Sequence, residues 1–217
     1  MQLINLSESD SVLNNFVAEL RHKDIQGDPL RFRRNLERIG EVMAYEISRT
    51  FSYRNEVVKT RLGDAKTSII DDRLVIGTIL RAGLPFHYGF LNYFDRSENA
   101  FVSAYRKYLD KEKFTIEIEY LSSPDLNGKT IILADPMLAT GISFELSYRT
   151  LLTRGMPSVV HMACIIASEH GVQYLREHID HPSVYLWCAA IDPELNYKAY
   201  IVPGLGDAGD LAFGEKI

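Results

Sequence analysis

The 217-residue chain has 46% hydrophobic and 24% charged residues, and its 24 basic against 29 acidic side chains leave a formal net charge of −5. This composition excludes a disordered chain, and the lack of a basic stripe argues against nucleic acid as a partner. No stretch approaches the roughly 18 apolar residues of a membrane span, and the opening MQLINLSESD has neither a basic start nor a long apolar run, so no membrane association and no secretory signal are expected and the cytoplasm is the expected location.

Leu13, Phe16, Val17 and Leu20 recur at helical spacing, with Ser9 or Asp10 as the expected N-cap. Asp28 followed by Pro29 is a clearer helix start, and Leu30, Leu36, Ile39, Met43 and Ile47 extend an apolar stripe to about Arg49. The basic run Arg31, Arg33 and Arg34 reads as the solvated face of that helix. Residues 1–50 are therefore expected to form a helical segment ahead of any parallel strand. Whether it serves as a lid, a hood or a dimer arm is left open by the sequence.

Val75 to Leu80 is a short, branched apolar run that ends in Arg81, Ala82 and Gly83, and Leu84 to Phe94 follows as a helix. Ala100 to Tyr105 and Phe114 to Leu121 read as two strands of a hairpin flap over about residues 100–121, with Asp110 and Lys111 in the polar link. In the second strand Phe114, Ile116, Ile118 and Tyr120 alternate with Thr115, Glu117 and Glu119, the period of a half-exposed strand. After the Asn127–Gly128 turn come a strand (Thr130 to Ala134), a loop (Asp135 to Gly141) and a helix (Ser143 to Leu152). Strand Val159 to Ala167, helix Gly171 to His178 and strand Val184 to Ala190 complete the series. Alternation of this kind predicts an α/β fold with an open, mostly parallel sheet flanked by helices, and residues 1–217 read as one domain. Cys164 and Cys188 lie inside apolar runs and are expected to be buried free thiols.

In such folds ligands bind beyond the carboxyl ends of the strands. Three segments should meet there: Arg81 to Gly83, the loop Asp135 to Ser143, and the run Tyr200 to Asp210. In the middle segment a buried strand leads into Asp135 and then into Thr140, Gly141 and Ser143 at a helix start. Backbone N–H groups and hydroxyls there can hold a phosphate. Asp135 repels phosphate but can accept hydrogen bonds from vicinal sugar hydroxyls. Phosphate donors beside a carboxylate point to a sugar phosphate. No lysine follows the glycines, so this is not a P-loop, and GLGDAG at 204–209 follows Pro203 rather than a strand, so it is not a dinucleotide fingerprint. The six histidines show no metal-ligand spacing.

LRAG at 80–83, DPMLATG at 135–141 and YIVPGLGDAGD at 200–210 together resemble the uracil phosphoribosyltransferase family, within the type I phosphoribosyltransferase fold. The resemblance covers roughly residues 25–217. It implies that phosphoribosyl pyrophosphate meets Arg81, Arg106, Asp135, Pro136, Met137, Leu138 and Asp207, with Ala139, Thr140, Gly141, Ile142 and Ser143 around its 5′-phosphate. It also implies that uracil meets Ile201, Gly206, Asp207 and Ala208. Mg²⁺ would have no direct cage and be held mainly through pyrophosphate and water near Asp207. The same resemblance implies a non-proline cis peptide between Arg81 and Ala82, and a homodimer or higher homo-oligomer, for which the two leading helices and the half-exposed strand would offer apolar faces. Two departures stand out. Ile142 replaces the second of two glycines and is expected to be helical and to narrow the edge of the site, and Arg106 is followed by Lys107 and Tyr108 rather than by Asn and carboxylates. A catalytically weak regulatory relative that binds uracil or a nucleotide, or a transferase for another base, are the alternative readings.

Overall fold

The computed structural model describes residues 1–108 and 114–215; side chains 104–117 lie outside the described residues. The flap link with Asp110 and Lys111, and the side chain of Arg106, therefore fall outside them.

Strand β1 (Gln2–Asn5) opens the chain, followed by helices α1 (Val12–Arg21) and α2 (Pro29–Ser48). A hairpin of β2 (Tyr53–Lys59) and β3 (Asp64–Ile70) leads to β4 (Leu74–Leu80), α3 (Gly83–Leu91), β5 (Glu98–Tyr108) and β6 (Phe114–Ser122). Then come β7 (Thr130–Ala134), the two-residue β8 (Met137–Leu138), α4 (Ile142–Leu151), β9 (Val159–Ser168), α5 (Glu169–His178) and β10 (Val184–Asp192). The chain closes with β11 (Glu194–Leu195), β12 (Ile201–Val202) and α6 (Ala208–Phe213).

The main sheet runs β1-β10-β9-β7-β4-β5-β6, with β8 added to β9. All its pairings are parallel except β5 with β6. Alternation sends Ile132 and Ala134 of β7 into the core beneath α1, α2 and α3, while Ile131 and Leu133 face α4 and α5. The central strands are buried on both faces, which is why they read as continuous apolar runs.

Several expectations change. The chain does not begin with two helices ahead of the sheet, because β1 pairs in parallel with β10 at the edge. Helix α1 is capped by Ser11, whose side chain accepts from Leu13 N, and neither Ser9 nor Asp10 is the cap. The α2 stripe begins at Phe32 rather than Leu30: Phe32, Leu36, Ile39, Met43 and Ile47 are buried, while Leu30 is exposed. Most of the apolar stripe of α1 and α2 is thus spent on the chain's own core, with Val12, Leu30 and Tyr45 left exposed. The basic run is engaged within the chain: Arg31 pairs with Glu19, Arg34 with Glu37, and Arg33 donates to the Ala212 carbonyl at 2.7 Å.

A β-bulge shifts the β5–β6 register between Ser103 and Ala104, so that Tyr120 pairs with Ser103 but Ile118 with Ala104. The extra residue, Glu119, reverses the alternation. Ile118 and Leu121 pack inward, whereas Tyr120, expected on the face of Ile118, is exposed. The β2–β3 hairpin is unexpected and carries exposed Tyr53, Val57, Val58, Leu62 and Ile70. Cys164 and Cys188 are buried free thiols. No helix among the described residues is long and apolar enough to cross a membrane.

Asp28 caps α2 as the sequence indicated, its Oδ1 accepting from Leu30 N at 2.9 Å and Arg31 N at 3.1 Å. We expect Asp28→Ala to lower unfolding stability by about 1 kcal/mol with activity retained, measured by urea denaturation beside a turnover assay.

Candidate active site

Four segments that leave strands or precede α6 enclose a pocket of ≈140 Å³, lined by Ala82, Asp135, Met137, Ala139, Ala199 to Ile201 and Gly206 to Gly209. Parallel pairing puts them together: β4 ends just before Ala82, β7 ends at Ala134, and β9, onto which β8 pairs, lies beside β7.

The loop after β7 is fixed from several sides. Asp135 N donates to Ala163 O at 3.1 Å, and the Pro136 carbonyl accepts from Ile165 N and Ile166 N at 3.0 Å each. Ser168 Oγ donates to Ala139 O at 2.6 Å and, as cap of α5, accepts from Gly171 N at 2.8 Å. Gly141 precedes α4 with φ +89°, and a Cβ there would lie 2.6 Å from Tyr174 Cδ1. Both its left-handed backbone and the tyrosine ring therefore require glycine. Tyr174 hydrogen-bonds Glu145 in the first turn of α4. That bond, with burial, pushes the Tyr174 phenol up to about 12. Burial opposes ionisation of Glu145, but bonds from Tyr174 and Arg149 outweigh it and hold its carboxyl below the ordinary range.

The chain after β10 folds back through a turn organised by Asn196, whose Oδ1 accepts from Lys198 N at 2.9 Å and Tyr200 N at 3.0 Å. Ala199 adopts φ +58° in this turn and faces the pocket. Beyond the cis Val202–Pro203 peptide, Asp207 caps α6, its Oδ1 accepting from Gly209 N at 2.9 Å and Asp210 N at 3.0 Å.

Of the residues singled out from sequence, Asp135, Met137, Ala139, Ile201, Gly206, Asp207 and Ala208 line this pocket. Pro136 and Leu138 are buried in the fold behind it. Thr140, Gly141, Ile142 and Ser143 sit at the entry to α4 beside it; Ile142 is helical, as expected, but does not line the pocket. Arg81 does not line the pocket; its Nη2 lies 3.1 Å from the Gly214 carbonyl and 3.4 Å from Asp210 Oδ1. The non-proline cis peptide joins Leu80 to Arg81, one bond earlier than expected. Arg106 lies on β5 opposite Ile116. Ala199 was missed; the only sequence signal was Asn196, a residue whose side chain favours turns.

Chemically, the pocket sets two carboxylates near one another beside a helix start. Burial pushes the Asp135 carboxyl up to about 7, the bond from Met137 N works against this, and the charge of Asp207 adds to it. A carboxylate so placed accepts hydrogen bonds from neutral hydroxyls more readily than it tolerates an anion.

A raised folded-state value means that Asp135 favours the folded chain in its protonated form. Its favourable contribution is complete below the unfolded value near 3.8 and is lost as pH rises through about 7. Asparagine removes this dependence. The melting temperature of Asp135→Asn relative to the parent should therefore increase between pH 4 and pH 8, read by calorimetry without ligands; a constant difference would contradict the assignment.

A profile of the family described as uracil phosphoribosyltransferase matches residues 7–215. A uracil phosphoribosyltransferase from Porphyromonas gingivalis is 57% identical over 217 residues, covering 100% of both chains. One from Pyrococcus furiosus is 37% identical over 213 residues, covering 97% of this chain and 89% of its own. A solved protein structure from Aquifex aeolicus matches with a TM-score of 0.88 at 29% identity, covering 98% of each chain.

Proposed function

Since the chain belongs to the uracil phosphoribosyltransferase family, we propose that it transfers the phosphoribosyl group of 5-phospho-α-D-ribose 1-diphosphate to uracil, giving UMP and diphosphate in pyrimidine salvage. The observation that carries this reading to the chain's own residues is the convergence of Asp135, the loop through Ala139 and the Ile201–Ala208 segment on one pocket.

In this reading Asp135 accepts hydrogen bonds from the ribose hydroxyls, and backbone N–H groups and hydroxyls from Ala139 to Ser143, at the start of α4, hold the 5′-phosphate. Arg81, released from its long contact with Asp210, and Arg106 from β5 meet the pyrophosphate. The C1–O bond breaks with its electron pair leaving on pyrophosphate, N1 of uracil bonds to C1, and the N1 proton passes to water. Charge on the leaving group is what the arginines stabilise. Backbone donors to the uracil oxygens lower the proton affinity of N1, so catalysis rests on positioning and electrostatics.

The donor set fits a magnesium ion that arrives with the substrate. No group of three or more His, Cys, Asp and Glu side chains gathers among the described residues, and Mg²⁺ commonly combines one or two carboxylates with phosphate oxygens and water. Asp207, beside Asp135, offers such a carboxylate. When bound, the ion supplies neutralising charge to the pyrophosphate.

The enzyme is proposed to act in the cytoplasm, and its net charge of −5 disfavours a nucleic-acid partner. A homo-oligomer is supported by the exposed apolar side chains of the β2–β3 hairpin. Light scattering at micromolar concentration should give a multiple of 24.7 kDa; the monomer mass alone would overturn this.

Base choice follows from hydrogen-bond order. Uracil presents acceptor, donor, acceptor through O2, N3–H and O4, whereas cytosine reverses the last two. Fixed backbone groups between Ile201 and Ala208 that pair with N3–H and O4 leave two mismatches with cytosine, each costing about 1–3 kcal/mol. Diphosphate release, measured with a panel of bases at saturating cosubstrate, should favour uracil over cytosine by roughly a hundredfold or more in kcat/KM. In the same assay Asp135→Asn should lose most turnover, and Arg106→Ala should lower kcat more than it raises KM for uracil. Equal rates with both bases would end the pairing argument.

A further inference from the structure

Arg21 is the last residue of α1 and Asp192 the last of β10. Across the 171 positions between them, Arg21 Nη1 and Nη2 donate to Asp192 Oδ2 and Oδ1 at 2.8 Å each, a two-pronged bond. The pair also holds both backbone groups of Gly204: Gly204 N donates to Asp192 Oδ2 at 2.9 Å, and the Gly204 carbonyl accepts from Arg21 Nη1 at 3.2 Å.

Gly204 is the hinge of the turn that joins Ile201 to Gly206. It has φ +57°, and a Cβ would lie 2.2 Å from the Ile201 carbonyl oxygen, so only glycine fits the turn in this shape, and glycine by itself does not hold a backbone in one conformation. Little regular structure supports it, since β12 has two residues and α6 starts only at Ala208. Its shape therefore depends on what grips it from outside. The Asp192 carboxylate is 7% exposed and the Arg21 side chain 24%. At this depth desolvation offsets much of the attraction between the charges, so such a pair adds little net stability. What it does supply is a defined geometry for Gly204 N–H and C=O, and through them for the backbone on either side.

We propose that Arg21 and Asp192 are positioning residues for base recognition: helix α1 reaches across to the end of β10 and, through this ion pair, sets the turn whose flanking residues Ile201 and Gly206 to Ala208 face the base. This rests on the reading of Ile201–Ala208 as the uracil segment. It gives the N-terminal helix a definite task. The pair touches no substrate; it acts through the turn.

The test uses full-length protein carrying Arg21→Ala, Arg21→Lys or Asp192→Asn, with Ala208→Val as a variant inside the base segment itself. KM for uracil, KM for phosphoribosyl pyrophosphate and the uracil-to-cytosine ratio of kcat/KM are measured for each, beside thermal melting. Arg21→Ala should raise KM for uracil by roughly tenfold, less than the hundredfold that a full 1 Å misplacement can cost, and lower the uracil-to-cytosine ratio by a similar factor. KM for phosphoribosyl pyrophosphate should stay within about twofold of the parent. Arg21→Lys, which keeps the charge but loses the fork, should fall between, and it carries the test if Arg21→Ala does not fold. Folded Arg21 and Asp192 variants with parental uracil KM and base ratio, while Ala208→Val loses uracil, would overturn the pair's role and leave the base segment standing. A parental uracil KM in Ala208→Val as well would remove the base segment and the pair's role together. Equal rises in both KM values would mark a merely structural pair and also overturn it.

Discussion

Parallel pairing of β4, β7, β9 and β10 obliges every chain segment leaving one of these strands to emerge on the same edge of the sheet. The strands share a direction, are buried on both faces, and cannot slip by one residue without turning the side chains of two cores inside out. Ala82, Asp135 and the turn after β10 are therefore neighbours because of sheet topology, although they lie far apart in sequence. The chemistry of the pocket is possible only because that edge is built in one register.

Register alone does not give the loops a shape. The segment after β7 is tied down by backbone bonds to β9 and by Ser168 and Tyr174, which belong to a strand and helix outside the pocket. The segment after β10 is tied down by Asn196 within itself and by Arg21 and Asp192 from outside. In both, polar side chains hold backbone groups whose partners no regular element would provide. The free energy gained from such bonds is modest, and their main effect is to fix the backbone of the loops that line the pocket.

Electrostatics in the pocket run against stability. Asp135 and Asp207 face a shared space, and the half-buried carboxyl of Asp135 is harder to ionise than an ordinary aspartate. Such repulsion between like charges would be relieved by a hydrogen-bond donor or a cation bound between them.

Much of the α/β alternation was legible from the chain alone, because strands buried on both faces leave unbroken apolar runs and helices of one buried face leave a stripe. Asp28 with Pro29 marked a helix start for the same local reason. That residues of three separate segments gather at one pocket was legible as well, since glycines and a lone aspartate at strand ends are unusual for packing and apt for phosphate and sugar. What depends on distant partners was not legible. Gln2–Asn5 is a strand only because β10 offers an edge, and the phase of α2, starting at Phe32 rather than Leu30, is set by the sheet beneath it. The β5–β6 bulge moved Tyr120 outward for a reason that no period in the sequence carries. Arg21 and Asp192 read individually as ordinary charged residues. Only the fold, by setting the end of α1 against the end of β10, makes them a pair, because an ion pair is defined by distance in space and the sequence holds only distance along the chain.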